Sequence, residues 1–102
     1  MRANLLLDER IDVADTMFVE MVIWEVPQPV IGCDHFYKYR LAFIVENKCV
    51  LRYDNEAGKG DHKHWGRREI PYVFSNLDSL IDAFYDDVVL WRSKRWLIGK
   101  EP

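Results

Sequence analysis

From Met17 to Val26 the apolar side chains occupy both parities of an alternating pattern. Met17, Val19, Met21 and Ile23 share one parity; Phe18, Val22 and Trp24 share the other with Glu20. A period of two marks an extended strand, and apolar residues on both faces predict cover on each side. Pro27 and Pro29 end the ladder because proline has no N–H to donate, and Val30 to His35 reads as a loop. A second strand is predicted from Phe36 to Val45, with Tyr37, Tyr39, Leu41, Phe43 and Val45 on one face. Glu46-Asn47-Lys48-Cys49 reads as a tight hairpin turn in which Asn47 suits a positive φ. Cys49 to Asp54 then returns antiparallel. With Asn47-Lys48 as the loop, Leu41 falls opposite Asp54 and Arg40 opposite Asn55. Leu5 to Val13 alternates only loosely, Arg10 and Asp12 against Ile11 and Val13, and fits a strand or a short helix.

Glu56 to Glu69 is rich in glycine and charge and reads as a loop, and Ile70 to Phe74 as a short strand that Pro71 confines to an edge. A helix follows. Leu77, Leu80, Ile81, Phe84, Val88 and Trp91 recur at helical spacing. Ser75 is the N-cap candidate, with Asp78 completing a capping-box-like pair. Acids fill the first turns and Arg92, Lys94 and Arg95 the last, as the helix dipole favours. The expected fold is α+β in one domain over residues 1–102: an antiparallel sheet of three to five strands with a C-terminal helix packed on one face. A second copy of the chain or a partner is the expected cover of the other face. Phe84 and Trp91 belong to the core stripe; Tyr85 and Trp96 lie off it, either packed at its margin or presented to a partner.

Composition sharpens this picture. The 102 residues are 49% hydrophobic, 30% charged and 14% aromatic, a globular balance. The net charge of −3 argues against a surface that binds nucleic acid everywhere. The charge is segregated, however. Lys59, Lys63, Arg67 and Arg68 cluster around one acid, Asp61, whereas Asp78, Asp82, Asp86 and Asp87 form a run without a cation. A local anion-binding patch is compatible with the acidic total. The apolar run near the start is too short for a signal or membrane segment. Cys33 and Cys49 then read as free thiols of a cytoplasmic protein, and as core or loop filler, Cys49 half-buried after its turn.

The chemistry-bearing residues concentrate between Arg52 and Arg68. Metal-free RNA cleavage needs a base for the 2′-hydroxyl, an acid for the leaving oxygen and cations for the phosphorane; imidazole can do either proton transfer near neutrality. His62 and His64, two positions apart, face the same way in an extended segment. Asp54 and Asn55 would orient them or their loop. Lys63, Arg67 and Arg68 would hold phosphate, and Tyr53 or Trp65 would stack on a base. The bland alternative is a solvated charged hairpin. His-x-His also supplies two metal ligands, with Asp61, Asp54 or His35 as a candidate third. Gly58-Lys59-Gly60 lacks the spacing and the following helix of a phosphate-binding loop, so its glycines are assigned to turn geometry. Cys33 with His35 does not by itself make a nucleophilic dyad.

The stretch Phe36 to Val45, the run Val50-Leu51-Arg52-Tyr53-Asp54-Asn55-Glu56 and the run Gly58-Lys59-Gly60-Asp61-His62-Lys63-His64 together resemble the TumE family of small bacterial toxin–antitoxin proteins. Glu20 to Pro27 and Tyr72-Val73-Phe74 share the resemblance, which extends from about Leu5 to about Trp91. It implies a bacterial cytoplasmic toxin component paired with a helix-turn-helix antitoxin. RNA cleavage enters by analogy with toxins in general. The leading expectation is therefore a toxin acting on RNA without a cofactor and away from membranes, with catalytic His62, His64, Asp54 and Asn55. Lys63, Arg67, Arg68 and Tyr53 are expected on the substrate. The alternatives are a non-enzymatic module that docks the helix-turn-helix partner, and a metal-dependent hydrolase using His62, His64 and Asp61.

Overall fold

The computed structural model describes residues 2–98, with side chains as far as residue 93. Six strands precede one helix: β1 (Asn4–Ala14), β2 (Met17–Glu25), β3 (Tyr37–Val45), β4 (Lys48–Asp54), β5 (His62–Trp65), β6 (Arg68–Pro71) and α1 (Leu77–Ile98). The strands form a single antiparallel sheet in chain order, β1-β2-β3-β4-β5-β6. The fold is thus α+β with a helix on one face, and the sheet has six strands rather than three to five. The added strand is β5, which lies within Glu56 to Glu69, expected to be a loop; β6 starts two residues before the short strand expected at Ile70 to Phe74 and ends at Pro71. His62-Lys63-His64-Trp65 is too short and too polar to show hydrophobic alternation, yet it pairs with β4 along its whole length. The segment from Leu5 to Val13 resolves as a strand. Pro71 does sit on an edge strand.

The β3–β4 hairpin corrects the expected register. Val45 pairs with Lys48, so Glu46-Asn47 is the loop, and both residues have positive φ (49° and 66°), the pattern of a type I′ turn. A bulge follows, because Ile44 pairs with Cys49 but Phe43 with Leu51, leaving Val50 as the extra residue. Arg40 therefore lies opposite Asp54, and Leu41 opposite Tyr53.

The apolar stripe of α1 meets the expected sheet face. Leu80, Phe84 and Val88 are buried against Val19, Met21, Ile23, Tyr39, Leu41, Phe43, Leu51 and Tyr53. Tyr53 meets Phe84 edge-on at 6.0 Å, and Phe43 meets Trp91 edge-on at 5.5 Å. The N-cap is Asn76 rather than Ser75: the Ser79 N–H donates to Asn76 Oδ1 at 2.8 Å. The side chains of Lys94, Arg95 and Trp96 lie outside the described residues. Cys49 is exposed rather than half-buried. Among the described residues no helix is long and apolar enough to cross a membrane.

The opposite sheet face carries no helix among the described residues. It presents Phe18, Glu20, Val22 and Trp24 from β2, paired with Ile44, Ala42, Arg40 and Lys38 from β3. It continues through Arg52 and Asp54 to His64 and His62. This open face is where the candidate chemistry lies.

Candidate functional site

Directly paired residues in a sheet project to the same side. Arg52 pairs with His64 and Asp54 with His62, so these four side chains share the open face. Glu69 joins them through its pairing with His64. The His-x-His expectation thus holds in space: the two rings lie edge to face, their centroids 4.9 Å apart. Lys63 and Tyr53, one residue out of phase, project beneath α1.

The open-face cluster is closely spaced and shielded. His62 is 3% exposed and Asp54 7%. Asp54 Oδ1 lies 2.9 Å from His62 Nε2 and 3.9 Å from His64 Nε2. Arg52 Nε lies 2.9 Å from Asp54 Oδ2, and Glu69 Oε1 is 3.9 Å from His62 Nε2. His62 Nδ1 is 3.0 Å from the Gly60 carbonyl oxygen. A carbonyl only accepts, so Nδ1 carries a proton and, in the neutral ring, Nε2 is the bare nitrogen. Gly60 holds this carbonyl in place at φ +73°, where a Cβ would stand 3.0 Å from the Gly32 carbonyl oxygen.

Short distances do not make these contacts hydrogen bonds. Arg52 Nε, Asp54 Oδ1, His62 Nε2 and His64 Nε2 are all buried without an aligned partner inside the protein. A buried polar atom left in this state costs about 1–3 kcal/mol, so a cluster of them calls for an explanation. The His64 imidazole is held below its ordinary pKa, first by burial and then by the Arg52 guanidinium. Beside Asp54 a groove runs along β3 and the loop after β4, lined by Lys38, Arg40, Arg52, Asp54 and Asn55. Lys38, Arg40 and Arg52 are cations that sequence reasoning did not assign to the site. Arg52, two positions before Asp54 on the same strand, could have been found from the alternation alone; Arg40 and Lys38 depend on the register that the structure shows.

The remaining predicted residues are dispersed. The Lys63 ammonium donates to Asp87 Oδ2 on α1 at 2.9 Å, and the Tyr53 hydroxyl donates to the same oxygen at 2.6 Å. Burial and that bond push the Tyr53 hydroxyl pKa up. Arg67 is exposed in the β5–β6 turn, and Arg68 pairs with Trp65 on the helix side. Asn55 is buried and serves the backbone: its Oδ1 accepts from Tyr39 N at 3.0 Å and its Nδ2 donates to the Tyr37 carbonyl at 2.7 Å.

Asp61, the carboxylate expected beside the two imidazoles, turns to a second cluster with Cys33 and His35. His35 Nε2 donates to Asp61 Oδ1 at 2.8 Å, and the Tyr39 hydroxyl donates to the same oxygen at 2.6 Å. His35 Nδ1 accepts from Tyr37 N at 3.2 Å, and the ring stacks on Phe74 with centroids 3.9 Å apart. The Cys33 thiol accepts from Asn55 Nδ2 at 3.7 Å. Burial, then the Asp61 charge, pushes the Cys33 pKa up, so this thiol is not an activated nucleophile.

No curated protein and no solved structure matches the chain. A family model does, the one described as Toxin TumE, over residues 2–92. That span takes in the whole sheet, both side-chain clusters and most of the helix, and on this match the chain belongs to the TumE toxin family.

Proposed function

We propose that the chain is the toxin of a toxin–antitoxin pair and that it cleaves RNA on its open sheet face. The observation that carries this reading is the convergence of Asp54, His62 and His64 beside a groove lined by Lys38, Arg40 and Arg52. Phosphodiester cleavage needs groups that move protons or activate water at the phosphorus, and cations that hold the phosphate oxygens. This arrangement brings both to one face of the sheet, shielded Asp54 and His62 beside exposed Lys38 and Arg40, in an otherwise acidic protein.

The roles assigned to the residues follow from their exposure. The His62 side chain is 4% exposed and tied to Gly60, so it is a fixed member of the site. His64, at 20%, is the imidazole that faces a substrate. Arg52 and Arg40 hold phosphate, and Lys38 extends that path along the groove. Lys63 instead braces β5 to α1 through Asp87. Function in the cytoplasm, with restraint by a helix-turn-helix antitoxin, follows from the family resemblance and completes the proposal.

The test is induction of the wild type and of His64→Ala in a bacterial host, following growth and total RNA together. The expected result is growth arrest with RNA loss in the wild type. Both should be lost in a soluble, folded His64→Ala protein, the loss in RNA cleavage being at least about 100-fold. Growth arrest with intact RNA would replace the nuclease reading by one in which the toxin acts by binding. Unchanged RNA loss in His64→Ala would remove this face from the chemistry.

A further inference from the structure

Asp54 Oδ1 and His62 Nε2 pose a problem that proton sharing does not solve. Nδ1 of His62 is already committed to Gly60. With the ring neutral, Nε2 has no proton to offer the carboxylate oxygen 2.9 Å away, and two electron-rich atoms stand close together in a shielded site. A second proton on Nε2 would relieve this only along the N–H···O axis, and Asp54 Oδ1 does not lie on it. A positive centre on that axis, where the Nε2 lone pair points, and within bonding distance of the neighbouring Asp54 Oδ1 satisfies both atoms. His64 Nε2 is buried on the same face, and the three ligand atoms lie within 4.8 Å of one another.

We infer that Asp54 Oδ1, His62 Nε2 and His64 Nε2 bind one divalent first-row transition cation, with coordination positions left over for water or a phosphate oxygen. With metal–ligand bonds of about 2.0–2.1 Å, neighbouring ligand atoms in a tetrahedral site stand about 3.4 Å apart. The separations of 2.9 and 3.9 Å bracket that value. Two imidazole nitrogens and one carboxylate favour a zinc-like ion over magnesium or calcium, which take oxygen ligands. Three protein ligands are the number that a catalytic zinc site uses.

The surroundings are those of a metal site. A ligating imidazole donates its other N–H to a carbonyl or carboxylate, as His62 does to Gly60. The Arg52 guanidinium lies against the distal oxygen of Asp54 and fixes the carboxylate. Cys33, His35 and Asp61 have equally suitable spacing, but His35 and Asp61 are committed to bonds within the protein. The inference deepens the proposed function, since it concerns the same face, and it replaces proton exchange between two imidazoles by chemistry at an ion they share.

The experiment uses the untagged full chain, stripped with chelator, dialysed and titrated calorimetrically with zinc alone and then with manganese alone. One equivalent of at least one ion should bind with a rise in Tm. Asp54→Asn and His64→Ala should each weaken binding by at least about 100-fold, whereas His35→Gln should leave it within about threefold, because its site is elsewhere. A folded wild type that binds neither ion up to about 1 mM would overturn the inference. So would binding that is indifferent to Asp54→Asn and His64→Ala. Cleavage of RNA by the ion-free protein in chelator would also overturn it while leaving the proposed function standing. Stoichiometric binding at these residues, with no RNA loss on induction, would uphold the ion and remove the nuclease.

Discussion

The protein assembles two clusters of metal-ligand side chains, and they differ in one respect that decides what each does. In both, three such side chains bring their ligand atoms within 4.8 Å of one another. In the cluster of Cys33, His35 and Asp61, both imidazole nitrogens are bonded and Asp61 Oδ1 accepts from two donors. In the cluster of Asp54, His62 and His64, the converging atoms are buried and have no aligned partner. Spacing alone would make both clusters metal sites. The polar accounting separates them: the first is a latch joining the loop before β3 to the loop before β5, and the second has coordinating capacity left for something outside the chain.

The largest effect should come from breaking the latch. Asp61→Ala removes the acceptor of both His35 and the Tyr39 hydroxyl, whose ring is 3% exposed. Two donors losing their partner should cost about 2–4 kcal/mol in urea unfolding. His64→Ala, measured the same way in the chelated protein, should change stability by less than about 1 kcal/mol, because it deletes an atom that was not satisfied. Equal losses in the two variants would erase the distinction between latch and site.

A smaller effect sharpens the comparison by pH. The Tyr39 hydroxyl is pushed above its ordinary value of 10.0, first by burial and then by its bond to Asp61. The folded protein therefore keeps a proton that the unfolded chain gives up near pH 10. This contribution to stability is complete below about pH 10 and is lost as pH rises further, at about 1.4 kcal/mol per pH unit for each such group. Tyr53 behaves in the same way beneath the helix. Unfolding followed from about pH 9 to about pH 11.5 should show falling stability, and Tyr39→Phe should flatten the slope by about one proton's worth. An unchanged slope would mean that Tyr39 ionises freely and that the latch is open.

Much of the fold could be read from the chain because its central elements are amphipathic with the right periods. The alternation of β2 and β3 and the stripe of α1 each point to the same core face, and consistency of that kind is what sequence reasoning detects. The site was legible in one half. His62 and His64 share a face because they are two apart, whatever the register. The choice of carboxylate was not legible, because it depends on register. With the loop at Asn47-Lys48, Asp54 would have paired with Leu41 and pointed into the core. The turn at Glu46-Asn47 and the bulge at Val50 shift it by one residue, opposite Arg40 and onto the open face. Asp61 stands next to His62 in sequence and for that reason points the other way.

The smallest effect reads the latch through the reactivity of its thiol. Cys33 belongs to the buried cluster, its thiol pushed above the ordinary pKa by burial and by the Asp61 charge, whereas Cys49 is exposed on β4. Thiolate is the reactive form, so the raised pKa and the shielding act in the same direction. Iodoacetamide at about pH 8 should alkylate Cys49 at least about tenfold faster than Cys33, read by mass spectrometry of the separate peptides. Asp61→Ala should narrow the gap from the Cys33 side alone, because it removes both a neighbouring negative charge and the bond that holds His35 beside the thiol. Similar rates in the wild type would mean that the loops around Cys33 open on the timescale of labelling. The satisfied cluster would then be as accessible as the unsatisfied one, and hydrogen bonding in the static structure would no longer distinguish a latch from a site.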